Sequence, residues 1–298
     1  MPKKKQQKVA IVTKQQNVED FKKFYPTLAN NPGKWTNRLC IGTPTVGTVR
    51  MEWVQSRFGQ TIPTNFSLVD VHQFMHTYAP IAYQITDAEN LTAKAVVDGD
   101  FEWFLSWEDD NLPPLNALVK LNNYMISGNV PVISGLYFTK SNPPEPILYR
   151  GLGKGHYADW KMGEKVWVDG IPFGFTLIHG SIIKALWAES PEYMVNGTLT
   201  RRVFSTPSEG YVDQETGGWM SLSGTSDLAW CKRLMTDNIF EKAGWPEYQK
   251  KEFPFLVDTT IFVKHIDRNT GVQYPVALPK DFVEGKIKWN EALGIMTS

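Results

Sequence analysis

FEWFLSWEDDNLPP, residues 101–114, decides how the rest of the chain is read. Its apolar run lies between Asp98, Gly99 and Asp100 on one side and Pro113 and Pro114 on the other, with the length and residue types of a buried strand. The run ends in three acids. Side chains alternate along an extended chain, so Glu108 and Asp110 are expected on one side and Asp109 on the other. In open α/β sheets ligands gather beyond the carboxyl ends of strands, where these acids would stand. Hard divalent cations that carry diphosphates are held by one or two carboxylates, with phosphate oxygens and water completing the shell. The ordinary alternative is a solvated turn whose acids cap the next helix.

Outward from that strand, the chain alternates strands and helices. Residues 38–43, RLCIGT, read as a short apolar strand that breaks at Pro44 into a loop before a helix over 49–58. This loop has neither the glycine spacing of a dinucleotide fingerprint nor that of a phosphate loop. A strand over 65–70 and a helix over 88–97 precede the acid-tipped strand, and Pro113 and Pro114 suit the first turn of a helix running to Ser127. Residues 130–139, VPVISGLYFT, form a strongly apolar strand, with a return strand over 147–150 and a glycine-broken strand-like stretch over 166–177. A helix starts near Ser181, and another at Ser226 and Asp227 carries Leu228, Cys231, Leu234 and Met235 on one face. An apolar strand over 260–264 leads to His265. Residues 201–224 are polar, glycine-rich and long for a plain connection, which predicts a mobile loop over a site. Such alternation predicts an α/β fold with a mostly parallel central sheet flanked by helices.

Composition narrows the function classes. The chain of 298 residues has 31 basic and 31 acidic residues, so no global field draws nucleic acid or an anionic membrane. With 42% hydrophobic and 13% aromatic residues it can bury a sizeable core. Cys40 and Cys231 have no metal-ligand spacing and read as core thiols in a reducing, cytoplasmic setting. No stretch approaches a charge-free membrane span. His72, His76, His156 and His179 stand beside no acidic strand tip and read as structural; Trp160 and Trp219 sit in polar loops, where packing competes with stacking on a sugar or base.

The ordered pieces, from Thr43-Pro44 through Ala88-Glu89-Asn90, FLSWEDDNLPP, PVISGLYF, VDGIPFGFTLI and SDLAWCKRL to VKHID, resemble the GT-A glycosyltransferases, most of all their small soluble bacterial and phage members. The resemblance covers roughly residues 38–268. It implies a GT-A domain over 37–268, an N-terminal extension over 1–36 packed on it and a C-terminal tail over 269–298. It also implies an inverting transfer of a sugar from a nucleotide-diphosphate donor, a UDP-sugar being favoured, to a hydroxyl of a glycan, protein or modified nucleic acid. On the matching positions, Asp110, Glu108 and His265 are expected to hold Mn²⁺ or Mg²⁺. Thr43, Pro44, Asn90, Glu108 and Asp109 are expected to meet the donor, Gly218 and Trp219 to border the acceptor, and Asp227 to be the base. Three positions depart from the family pattern: Ser226 precedes Asp227 where glutamate is frequent, Glu108 replaces the usual first aspartate, and Glu89 stands where arginine is frequent. The last two leave room for a second reading, a non-catalytic glycan- or nucleic-acid-binding protein on the same fold.

Overall fold

The computed structural model of the chain describes residues 38–63, 75–141, 144–151, 155–157, 159–212, 214–215, 217 and 219–275. In chain order these form β1 (Leu39–Gly42), α1 (Met51–Phe58), β2 (Met75–Tyr78), α2 (Ile85–Asp98), β3 (Trp103–Trp107), β4 (Asn111–Leu112), α3 (Ala117–Ser127) and β5 (Val132–Leu136). There follow β6 (Lys165–Val168), β7 (Phe175–His179), α4 (Gly180–Glu189), β8 (Glu192–Val195), β9 (Thr198–Arg201), β10 (Ser208–Val212) and β11 (Trp219–Ser223). The described chain closes with α5 (Ser226–Thr236), α6 (Ile239–Lys242), α7 (Pro246–Gln249), β12 (Phe255–Phe262), β13 (Lys264–Ile266) and β14 (Gln273–Tyr274).

Seven strands form the central sheet in the order β2-β1-β3-β7-β5-β12-β6. β1 pairs parallel with β2 and β3, and β5 with β12, whereas β7 runs against both β3 and β5, and β6 against β12. Reversing β7 between β3 and β5 leaves those two aligned, so five strands share one direction. This is the mostly parallel α/β layout, flanked by helices, expected of a GT-A fold.

The period-two alternation of the strands divides the core cleanly. Leu39, Ile41, Trp103, Leu105, Trp107, Ile133, Phe175, Leu177 and Leu256 face α1 and α3, packing on Trp53, Leu118, Leu121 and Met125. Their neighbours Cys40, Phe104, Val132, Ile178 and Val257 face the other way, onto α2, α4 and α5. Each fully buried Leu, Ile or Phe contributes about 1.5–3 kcal/mol, so both faces are strongly held in register. β1 and α2 approach so closely that a Cβ on Gly42 would lie 2.4 Å from Thr92 Cγ2.

Several elements differ from the sequence expectation. Residues 201–224 are not a plain loop: β10 and β11 pair antiparallel, Ser208 opposite Ser223 and Val212 opposite Trp219, and Val203 and Phe204 are buried. The pairing satisfies the backbone of a stretch too polar to register as strands by hydrophobicity. Residues 166–177 split into β6 and β7, and the return strand expected over 147–150 is reduced to isolated bridges of Tyr149 with His156 and Gly170. The helix after Pro113-Pro114 begins only at Ala117, because Asn111 and Leu112 are drawn into β4. The strand expected over 65–70 and the residues 1–36 lie outside the described residues. Both cysteines are buried free thiols, and burial pushes the Cys40 thiol up to about 12.

Candidate active site

The acid turn is fixed by backbone contacts on every side. β3 stops at Trp107, and Glu108 N–H donates to the Gly174 carbonyl at 3.0 Å. Two indoles grip the turn: Trp53 Nε1 donates to the Glu108 carbonyl and Trp107 Nε1 to that of Asn111, each at 3.0 Å. Ile266 N–H donates to the Asp110 carbonyl at 2.8 Å, and β13 pairs with β4 so that His265 lies opposite Asn111. His265 is therefore carried to the acid turn by a small second sheet. Gly174 is required here, since a Cβ would lie 2.5 Å from both Asn111 Nδ2 and the Tyr137 hydroxyl.

Because residues 109 and 110 turn rather than extend, the expected alternation of the three acids does not hold. Asp109, 1% exposed, and Asp110, 7% exposed, share one cation, Arg268: its Nη2 pairs with Asp109 and stands 3.7 Å from Asp110 Oδ2. Asp110 Oδ1 accepts from Asn111 Nδ2 at 2.9 Å, while Oδ2 accepts from Lys140 Nζ at 2.6 Å and faces His265 Nε2 at 3.5 Å. Burial alone would raise the Asp110 carboxyl, but the hydrogen bonds and charges of His265 and Lys140 outweigh it and hold it well below the usual range. Asp109 goes the other way: burial raises it, and the nearby Thr45 side chain and the Arg268 charge only partly offset this.

Asp110 and His265 are the side chains at this point that could hold a divalent ion. His265 Nδ1 lies 2.8 Å from the Phe138 carbonyl and donates to it, so Nε2 is the ring nitrogen turned toward Asp110 Oδ2, 3.5 Å away. Among the described residues no cluster of three or more His, Cys, Asp or Glu side chains has metal-site geometry, so phosphate oxygens and water would supply the other positions, as is usual for Mg²⁺.

Glu108 turns to a different neighbourhood. With Glu89, Phe173, Thr206, Gly224, Ser226 and Asp227 it lines a cavity of about 310 Å³. Burial first, then the negative charges of Asp110 and Asp227, push Glu108 up to about 8. Glu89, 7% exposed on α2, accepts from Ser226 Oγ at 3.2 Å through Oε1, and its Oε2 has no hydrogen-bond partner. Burial, followed by the Glu108 charge, raises its carboxyl well above the ordinary range. Asp227, in the first turn of α5, accepts from Leu228 N–H at 2.8 Å through Oδ1; burial raises it, and its local hydrogen bonds pull it back. A second cavity, about 430 Å³, is lined by Val46, Thr48, Val49, Arg50, Arg268 and Asn269.

The other expected site residues divide. Thr43 is buried at the end of β1 and Pro44 half-buried beside it, at the head of the loop that lines the arginine-bearing cavity. Asn90 is turned inward: its amide donates to Tyr193 Oη and the Phe204 carbonyl and accepts from Phe204 N–H, all at 2.8–2.9 Å. That corrects its assignment to the donor site, since Asn90 ties α2 to the segment after β9. Gly218 lies outside the described residues, and Trp219 opens β11, whose hairpin leads into Gly224 at the cavity wall. Trp160 is a core residue, 3% exposed; His156 pairs with Glu145 at 2.7 Å, and His179 caps α4 by accepting from Ser181 N–H. Lys140, Arg50 and Arg268 were not singled out from the sequence. The available signal was a basic residue just past a strand: Lys140 follows VPVISGLYFT, and Arg268 lies three residues after His265.

No family model and no curated protein matches the chain. Among solved structures it is similar to A197 from STIV, at 12% identity and a TM-score of 0.45, over 79% of this chain and 90% of that one. It is also similar to S. aureus TarS 1-349 in complex with UDP-GlcNAc, at 12% identity and a TM-score of 0.32, over 49% of this chain and 46% of that one. The complex of the same fragment with UDP gives 11% identity and a TM-score of 0.31. The chain thus spans about half the length of that TarS fragment. Likenesses this distant carry no argument about activity, which rests on the site geometry.

Proposed function

We propose that the chain transfers a sugar from a nucleotide-diphosphate donor, a UDP-sugar being favoured, to an acceptor hydroxyl on a glycan, protein or modified nucleic acid, with inversion. One observation carries this reading: a single fixed turn joins a cation-bearing cluster, with Asp109, Asp110, His265, Arg268 and Lys140, to a carboxylate-lined cavity with Glu108 and Asp227. The diphosphate lies on the first and the acceptor enters the second.

Asp110 and His265 would hold Mn²⁺ or Mg²⁺, which when bound would neutralise charge on the leaving diphosphate; Glu108 lines the carboxylate-lined cavity and is not among the ligands. Arg268 and Lys140 add fixed positive charge beside the same oxygens. The loop after Thr43 and Pro44 receives the nucleoside, with Arg50 beside it. Asp227 takes the acceptor hydroxyl proton as the acceptor oxygen bonds to the anomeric carbon and the bond from that carbon to the phosphate oxygen breaks. Its Oδ1 is fixed by Leu228 N–H, and α5 is anchored by Trp230, Cys231 and Leu234, so the carboxylate is held still. The hairpin of β10 and β11 borders the acceptor through Trp219 and residue 218, in a cytoplasmic enzyme.

A panel of nucleotide sugars, scored by thermal shift with and without Mn²⁺ and by slow donor hydrolysis, tests donor, metal and chemistry together. We expect one donor family to raise the melting temperature only with metal and to be hydrolysed. Binding of glycans with no response to any nucleotide sugar would favour the non-catalytic reading instead.

A further inference from the structure

We propose that Lys140 is a built-in competitor for the divalent ion: its ammonium takes the Asp110 oxygen that the ion would use, so that ion binding and release of Lys140 are one event and Lys140 sets the metal affinity of the site. This deepens the reading of the acid turn as the place that holds the ion, and rests on it.

Both oxygens of Asp110 are engaged. Oδ1 accepts from Asn111 Nδ2 at 2.9 Å, and Asn111 is fully buried, so this bond cannot open without moving the turn. Oδ2 is the oxygen that faces His265 Nε2, at 3.5 Å, and is therefore the one that an ion shared by the two side chains would use. Lys140 Nζ already sits on it at 2.6 Å, with Arg268 Nη2 further off at 3.7 Å. A divalent ion on the same oxygen would stand against that ammonium at close range in a partly buried place, where the repulsion is weakly screened. One of the two cations has to leave.

The local structure decides which group yields. A single segment delivers both partners of Oδ2: the Phe138 carbonyl fixes His265 Nδ1 at 2.8 Å, and two residues later Lys140 reaches Asp110. Its backbone is pinned, since Thr139 N–H donates to the Glu145 carbonyl and Glu145 N–H to Thr139 Oγ1, each at 2.9 Å. Only the Lys140 side chain is left to move. That side chain is 28% exposed, so a path to water is open, and its point charge rides on a flexible four-carbon stem. Arg268 is the worse candidate, because its guanidinium is already paired with the buried Asp109. Swung off Asp110, the tethered ammonium is free to meet a phosphate oxygen.

The test titrates Mn²⁺ alone, with no nucleotide, into the full chain and into Lys140→Met and Lys140→Arg, reading free ion by electron paramagnetic resonance. Methionine keeps much of the stem and removes the charge; arginine keeps the charge. We expect Lys140→Met to bind Mn²⁺ about tenfold or more tightly than the parent, and Lys140→Arg to stay near it. A second measurement needs no variant: Mn²⁺ should speed acylation of Lys140 by an amine-reactive ester, read by peptide mass spectrometry, and leave Lys94 on α2 unchanged. Should Lys140→Met fail to fold, that labelling decides alone. Equal or weaker Mn²⁺ binding by Lys140→Met, an equal gain in Lys140→Arg, or labelling of Lys140 that Mn²⁺ does not change overturns the competition. The two readings fail differently: equal Mn²⁺ affinity in all three proteins removes only the competitor, whereas no Mn²⁺ binding by any of them removes the ion from the proposed function as well.

Discussion

The two sides of the acid turn, made from consecutive residues, are built on opposite electrostatic plans. Asp109 and Asp110 meet Arg268, Lys140 and His265, while Glu108 opens onto Glu89 and Asp227 in a cavity whose described lining has no cation. At Asp110 negative charge is stabilised in advance, which suits an oxygen that stays ionised, whereas at Asp109 burial outweighs the Arg268 charge. On the cavity side, negative charge is left expensive, which suits groups that take a proton or meet a cation. Placing both within one turn sets the cation-bearing cluster next to the acidic cavity, the arrangement that the proposed displacement would use.

The sharpest break in this contrast comes from Asp227→Asn, which keeps shape and hydrogen bonding but cannot take a proton. Transfer should fall by about two to four orders of magnitude while nucleotide and metal binding stay near the parent level. If Asp227 only caps α5, its loss costs about 0.3–1 kcal/mol of stability and leaves transfer nearly intact, which rate assays beside a melting curve separate.

A smaller but still large effect is expected from Asn90→Ala, which attacks the support of the cavity side. Three side-chain hydrogen bonds to Tyr193 and Phe204 are lost in a buried position, so chemical denaturation should show about 2–4 kcal/mol of destabilisation. A mild loss of stability with weakened donor binding would return Asn90 to the donor site.

On the cation-bearing side, Asp110→Asn removes a ligand charge and leaves Lys140 and Arg268 in place. Titration calorimetry should then give nucleotide-diphosphate affinity that no longer responds to Mn²⁺, about tenfold below the parent's metal-bound value. Equal affinity with and without metal in the parent would remove the ion from the reading altogether.

The smallest effect is a pH slope. The Glu89 carboxyl is raised in the folded state above its ordinary 4.5, so the stability it contributes is fully present below that value and is lost as pH rises through the folded pKa. Glu89→Gln abolishes that loss. Relative to its value near pH 4, the variant's stability should therefore gain on the parent toward neutral pH, and parallel stability curves would show that Glu89 is not under charge stress.

Much of this organisation was legible from residue order. Apolar runs of strand length between turn residues placed β1, β3, β5 and only the end of β12, which begins five residues before the expected 260, and one-faced apolar spacing placed α3 and α5, because burial of one face leaves a periodic mark on the sequence. The acids at the tip of β3 were visible for the same reason: a charged cluster directly after WFLSW can only lie at the end of a buried strand. The hairpin of β10 and β11 left no such mark, since it is held by cross-strand backbone hydrogen bonds in a polar sequence.

By itself, then, the sequence determined an α/β sheet with an acidic strand tip, a late histidine and an acid heading an amphipathic helix. Which of these groups meet was decided only by tertiary structure. Stopping β3 at Trp107 turned Asp109 toward Arg268 and Glu108 toward Asp227, and pairing β13 with β4 brought His265 across to Asp110. The same packing made Asn90 a structural clamp and placed Glu89 in the wall of the acidic cavity. The physical reason is range: periodicity and turn chemistry act over a few residues, whereas the contacts that set charge and proton affinity here join positions such as Ser226 and Glu89, 137 residues apart.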